Sequence, residues 1–239
     1  MFKVFVFDNY DEISAKASEI VLEKLKEKRV VLGMATGSTP EGLYKKLVEA
    51  YKKGQSFAHV TTYNLDEYVG LAQDHPQSFY HFMQEKLFKH IDVKAENIHI
   101  PLGSGPMEHI SADYEALIAK DPQDLQILGL GSNGHIGFNE PGTTFESTVH
   151  VVRLKKQTRQ DNARFFKDID EVPTYSITMG IKDILRAKEI LVIATGENKA
   201  QAVYQMIHGE ANVVFPCSAL QDHADVVVLL DKEAASLLK

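Results

Sequence analysis

Asp124-Leu-Gln-Ile-Leu-Gly-Leu-Gly-Ser-Asn-Gly-His-Ile-Gly-Phe-Asn-Glu-Pro-Gly142 is the stretch that decides the architecture. Asp124–Leu128 is a short apolar run entered from a Pro and Asp turn, the pattern of a buried strand. Five glycines follow between Gly129 and Gly142. Each costs conformational entropy, so such a run persists where the backbone must take positive φ or come close to a ligand. Within it stand one imidazole, His135, and one carboxylate, Glu140. Pro141 biases Glu140 toward extended backbone, which keeps the pair on a loop instead of a helix. A titratable pair on a loop at a strand's carboxyl end matches the place where open α/β sheets carry their chemistry.

Gly129-x-Gly131-x-x-Gly134 also spells the dinucleotide fingerprint, but its surroundings do not fit one. The last glycine should open a helix, yet Gly137, Asn139, Pro141 and Gly142 come next, and Val151-Val-Arg153 stands where an acidic residue should end the following strand.

Outward from this stretch, strand-like runs alternate with helix-period segments. Strands are expected at Val4–Phe7, Val30–Met34, Val60–Leu65, Ile98–Ile100, Val149–Arg153, Tyr175–Met179, Glu189–Thr195 and Val226–Leu230. Helices are expected at Asp11–Lys28, Pro40–Tyr51, Gln77–His90, Met107–Lys120, Thr158–Lys167, Asn198–His208 and Lys232–Lys239, with a short one between Met179 and Glu189. No linker or repeat interrupts them. Repeated βα units with strands apolar on both faces give an α/β fold, a mainly parallel sheet covered by helices on both faces. The expectation is one domain over residues 1–239.

Composition narrows the class. A net charge of −7 gives no electrostatic case for nucleic acid or an anionic membrane, so any anion site must be local. The one cysteine, Cys217, excludes an intramolecular disulfide and fits a reducing cytosol. Met1–Asp8 is apolar too briefly for a signal peptide, and no apolar run approaches the roughly 20 residues of a membrane span. A cytoplasmic protein without membrane partners is the expectation.

Four loops at strand ends carry candidate chemistry. Ala35-Thr-Gly-Ser-Thr-Pro40 sets the hydroxyls of Thr36, Ser38 and Thr39 and the free backbone of Gly37 at a helix start, with Thr39 as N-cap and Pro40 as first helical residue. Free amides and the helix dipole make this an anion site; an ordinary capped helix would read the same way. It lacks the Gly-Lys-Ser/Thr of a nucleotide loop, so a phosphate monoester fits better than ATP. Asn64-Leu-Asp66-Glu67-Tyr68 puts two acids at a strand end, either solvated turn residues or, for Asp66, a base at the sheet edge. The third loop is the glycine run with His135 and Glu140. In Thr195-Gly-Glu-Asn-Lys199, Lys199 falls in a helix's first turn, a cost for a cation that a bound anion would offset. Arg164 is a further candidate cation, and no metal-ligand pattern appears.

Thr36-Gly-Ser-Thr-Pro40, Asn64-Leu-Asp-Glu-Tyr-Val-Gly70, Gly134-His-Ile-Gly-Phe-Asn-Glu-Pro-Gly142 and Asn162-Ala-Arg-Phe-Phe166 resemble, in order and over essentially the whole chain, the glucosamine-6-phosphate deaminase family. The resemblance implies a modified Rossmann-like α/β sandwich that converts glucosamine 6-phosphate and water to fructose 6-phosphate and ammonia, with neither metal nor other cofactor. It implies that Thr36, Gly37, Ser38, Thr39, Arg164 and Lys199 hold the substrate phosphate. It further implies that His135, oriented by Glu140, opens the ring and that Asp66 moves the C2 proton to C1 through an enolamine. One departure stands at Asn133, where many members carry Asp; an amide can still bond His135 but brings no charge. Longer members extend beyond the position of Lys239, so their hexameric assembly and activation by N-acetylglucosamine 6-phosphate are not carried over; monomer and homo-oligomer both stay open. Phe145–Arg186 is a candidate lid by its place after the glycine loop.

Two rivals remain. A 6-phosphogluconolactonase shares a Gly-His loop and a phosphorylated sugar, but usually continues with Thr-Ala-Ser and has Arg where Tyr68 stands. A non-catalytic sugar-phosphate sensor on the same scaffold would not need His135, Glu140 and Asp66 together.

Overall fold

The computed structural model describes residues 2–163 and 166–238. Seven strands form one sheet in the order β1-β10-β9-β6-β2-β3-β5, with every pairing parallel. These are β1 (Phe2–Phe7), β2 (Val30–Met34), β3 (Val60–Asn64), β5 (Ile98–His99), β6 (Leu125–Gly129), β9 (Ile190–Ala194) and β10 (Val226–Asp231). All five residues of β2 and of β9 are buried. Side chains alternate across a strand, so full burial means both faces of the sheet are covered. The helices are α1 (Tyr10–Lys24), α2 (Glu41–Lys52), α3 (Phe79–Lys86), α4 (Met107–Ile118), α5 (Lys156–Asn162), α6 (Ile181–Ile184) and α7 (Ala200–His208).

The chain runs from β2 out to β3 and β5, then returns to pair β6 on the other side of β2. That reversal opens a crevice between the carboxyl ends of β2 and β6, the usual ligand position in such sheets. A second sheet of three antiparallel strands, β4 (Asp66–Val69), β8 (Tyr175–Thr178) and β7 (His150–Arg153), stands beside it.

Four sequence expectations are corrected. Asp66 and Glu67 belong to no turn; they begin β4, because Leu65 donates to Met34 O (2.9 Å) and accepts from Met179 N (2.7 Å), handing the chain from one sheet to the other. Helix α2 starts at Glu41 with Pro40 at its N-cap and no side-chain cap, so Thr39 does not cap it. Residues 232–237 form turns instead of a closing helix; Asp231 Oδ1 accepts the Ala234 amide, and a single i→i+4 bond, Ala235 N to Asp231 O, gives way to i→i+3 bonds without propagating. Strand β1 is an edge strand with Val4, Phe5 and Val6 exposed, so its apolar run is not buried on both faces. Within Phe145–Arg186, β7 and β8 are paired strands, and α5 between them contributes to the cavity described next. No helix among the described residues is long and apolar enough to cross a membrane.

Candidate active site

A cavity of about 830 Å³ occupies the crevice at the carboxyl ends of β2, β3, β6 and β9. It is lined by Thr36, Gly37, Ser38, Thr39, Asp66, His135 and Lys199, so three separate loops and the first residue of β4 meet there. Asn133 and Glu140 stand behind His135, and Glu140 is buried. Arg164 lies outside the described residues.

Asp66 is 7% exposed and sits beside an aromatic wall. Tyr68, Phe79 and Phe138 line the same cavity, with ring centroids 4.6 Å apart for Tyr68–Phe79 and 5.9 Å for Tyr68–Phe138. Burial of this kind disfavours the charged carboxylate, and the Asp66 pKa is pushed up to about 8, first by desolvation and then by the neighbouring Glu67. Glu67 is buried as well, but it accepts the amides of Tyr68 (2.8 Å), Phe79 (2.9 Å) and Tyr80 (2.9 Å). It therefore fastens the amino end of α3, whose residues form one cavity wall, to the strand that carries Asp66.

The imidazole is held by a chain of hydrogen bonds. His135 Nδ1 lies 2.7 Å from Asn133 Oδ1, and Asn133 Nδ2 donates to Glu140 Oε2 at 3.0 Å. Thr158 Oγ1, arriving from α5, donates to the other oxygen of Glu140. The carboxylate settles which end of the Asn133 amide is nitrogen, and the amide oxygen can only accept. Neutral His135 consequently carries its proton on Nδ1 and keeps Nε2 as the basic nitrogen.

Two glycines of the loop are there for stated reasons. A Cβ on Gly131 would overlap the His135 ring, which lies against that backbone. Gly134 takes φ of +83°, and a Cβ there would lie 2.9 Å from the Phe215 ring and 3.1 Å from Cys217 Sγ. The Cys217 amide donates to Gly134 O at 2.8 Å, so the 3₁₀ turn Pro216–Asp222 props the loop from behind.

On the loop after β2, Gly37 takes φ of +91° with open space where a Cβ would be, and Thr39 lies against Gly129 of β6. Lys199 ends a 3₁₀ turn and is the N-cap of α7. That turn follows Gly196 at φ +90°, whose amide donates to Asp231 Oδ2 at 2.8 Å. Hydroxyls, a helix start and an ammonium thus line the same cavity as Asp66 and His135.

Sequence reasoning missed Ser132, Thr158 and Asn162 as cavity residues. Ser132 lies inside the glycine run and could have been drawn from it. Asn162 opens one of the stretches that carry the family resemblance but is given no role by it, and Thr158 carries no signal beyond a polar residue in a helix-period segment.

These features define an α/β protein in which a buried carboxylate, an imidazole and a hydroxyl-rich helix start line one crevice. The profile of the family described as glucosamine-6-phosphate isomerases/6-phosphogluconolactonase matches residues 8–229, and the chain belongs to that family. It is 50% identical over 240 residues to a glucosamine-6-phosphate deaminase of Thermoanaerobacter pseudethanolicus, covering 99% of this chain and 95% of that one. A glucosamine-6-phosphate deaminase of Halalkalibacterium halodurans is 47% identical over 236 residues, covering 97% and 96%. Among solved structures, a monomeric glucosamine-6-phosphate deaminase superposes with TM-score 0.96 at 47% identity, covering 98% of this chain and 99% of that one. A 6-phosphogluconolactonase from Leishmania guyanensis matches with TM-score 0.82 at 22% identity over 100% and 99% of the two chains, which speaks to the fold alone.

Proposed function

We propose that the chain is a glucosamine-6-phosphate deaminase, converting glucosamine 6-phosphate and water to fructose 6-phosphate and ammonia as one catalytic domain. The observation that carries the reading is the pairing, in one cavity, of a buried carboxylate with raised pKa and an imidazole whose Nδ1 is held by Asn133, which makes Nε2 the basic nitrogen. An anion cradle at Thr36–Thr39 and Lys199 supports it.

In this scheme the phosphate binds at Thr36, Gly37, Ser38, Thr39 and Lys199, with Arg164 as a further cation. Its binding energy positions the sugar. His135 Nε2 takes the anomeric hydroxyl proton and returns it to the ring oxygen, opening the pyranose. Asp66 then removes the C2 proton while a proton passes from the amino group to O1, giving an enolamine; return of the proton from Asp66 to C1 makes a C2 iminium. Water adds at C2, ammonia leaves, and the ketone remains. No step calls on a metal or other cofactor. Asn133 acts as a neutral relay: it passes the orienting effect of Glu140 to the imidazole without adding a charge beside it. The reading brings a cytoplasmic location and glucosamine 6-phosphate as the small-molecule partner, with neither nucleic acid nor membrane.

The test is ammonia release from glucosamine 6-phosphate beside N-acetylglucosamine 6-phosphate, with EDTA present. Release from the free amine alone, undiminished by EDTA, is expected. Consumption of 6-phosphogluconolactone with no ammonia from the amino sugar would replace the deaminase reading with the lactonase one.

Two variants probe the parts separately. Lys199→Ala loses a charged contact made equally to substrate and transition state, so KM should rise roughly 30-fold with kcat little changed. A kcat loss at constant KM would remove the phosphate role. Thr158→Val keeps the shape but leaves Glu140 without its α5 donor. In steady-state kinetics kcat should fall roughly tenfold while KM stays within about twofold; unchanged kcat would cut Thr158 out of the relay.

A further inference from the structure

Helix α1 contributes nothing to the cavity lining, yet its first residue reaches the anion cradle. The Tyr10 hydroxyl lies 2.7 Å from the carbonyl oxygen of Thr39 and 2.9 Å from that of Ser38. It also accepts the backbone amide of Gly42 at 2.8 Å. The first turn of any helix has amides without intrahelical partners. Pro40 supplies no side-chain cap to α2, so a hydroxyl from another helix takes over that duty. The approach depends on glycine: a Cβ on Gly42 would lie 2.9 Å from Tyr10 Cε1 and would overlap the Ser14 hydroxyl.

The same contact fixes the direction of a cradle amide. No cis peptide occurs among the described residues, and across a trans peptide the N–H points opposite the carbonyl. Drawing the Ser38 carbonyl toward Tyr10 therefore turns the Thr39 amide away from α1. Ser38 and Thr39 are both cavity residues. We propose that Tyr10 is a positioning residue for the substrate phosphate, its hydroxyl holding the 38–42 backbone in the anion-binding arrangement from outside the cavity. This inference rests on the phosphate reading of Thr36–Thr39.

Tyr10 is 38% exposed, and Tyr10→Phe keeps the ring against Gly42, so the variant should fold as the wild type does. The experiment measures KM and kcat for glucosamine 6-phosphate and the inhibition constant of inorganic phosphate, for both proteins. Tyr10→Phe should raise KM and the phosphate inhibition constant together by roughly fivefold, with kcat within about twofold. Ser14→Ala, which removes the Ser14 bond to the Tyr10 carbonyl but leaves the three contacts of the Tyr10 hydroxyl in place, should change neither constant. If wild type is inhibited by phosphate and Tyr10→Phe matches it in both constants, the role of Tyr10 is refuted while the cradle stands. A fall in kcat at constant KM refutes it as well. If phosphate fails to compete with substrate on the wild type, the cradle reading itself falls, and Tyr10 with it.

Discussion

Asp66→Asn is expected to yield a protein that binds glucosamine 6-phosphate with nearly wild-type affinity and releases ammonia at least roughly 10³-fold more slowly. The amide keeps the shape of the carboxylate but cannot accept the C2 proton. Binding should survive because the proposed phosphate cradle is carried by the loops after β2 and β9, whereas Asp66 stands on β4. Calorimetric titration beside single-turnover kinetics separates the two effects, and loss of binding in step with turnover would refute the assignment.

The same residue sets a pH dependence. The base must be ionised, and burial holds the Asp66 pKa up at about 8. Below that pH, kcat/KM, which reports the free enzyme, should fall about tenfold per pH unit, and Asp66 adds no further rise above it. A cationic amino group on bound substrate favours the carboxylate, so the acid limb of kcat should lie at lower pH than that of kcat/KM. Stability should run the opposite way. Between the ordinary value of 3.8 and about 8, the folded protein holds a proton on Asp66 that the unfolded chain has released. Wild-type stability from this group therefore rises as pH falls through that window. Asp66→Asn escapes the cost, so its Tm at pH 7 should exceed that of wild type, by an amount on the order of a few kcal/mol in unfolding free energy, and the gain should vanish below about pH 4. An equal Tm for the two proteins at pH 7 would mean that the carboxylate is not held in the desolvated state described.

The sites most legible in the sequence are those built from one continuous stretch. His135, Glu140 and the glycines around them sit on one loop, where local turn chemistry and strand periodicity act over a few residues. The alternation of elements likewise foretold a parallel sheet, since full burial of β2 and β9 follows from their uninterrupted apolar character. Asp66 shows where such reasoning stops. Its strand exists only because residues 66–69 pair with residues 175–178, more than a hundred positions away, and adjacent acids alone resemble a turn. Thr158 is hidden for the same reason, being joined to Glu140 by a contact between α5 and the glycine loop. The apolar run of β1 misleads in the other direction: pairing with β10 satisfies one edge and leaves the strand half in solvent. Tyr10 carried no signal whatever, because capping a helix from a neighbouring helix has no local spacing.

His135→Gln should impair the opening of the closed ring while sparing the later steps. The Asn133 carbonyl holds a proton on Nδ1, so the base offered to the sugar is Nε2, and glutamine has no comparable base at that point. Loss of one general base in a proton transfer costs roughly 10²- to 10⁴-fold, so kcat for the cyclic substrate should drop within that range. Ring opening would then limit turnover, ahead of the step at C2. A primary isotope effect with substrate deuterated at C2 reads this change directly. Wild type should show the effect to whatever extent C2–H cleavage is limiting, and His135→Gln should show less, approaching none. Spontaneous opening would supply the variant, so its rate should follow the small open-chain fraction of the substrate. An open-chain substrate should recover most of the lost rate. If kcat falls but the isotope effect is retained in full, the imidazole acts at the carbon acid step instead. His135 would then share the work assigned to Asp66, and the division between a ring-opening base and a C2 base would collapse into one site acting twice.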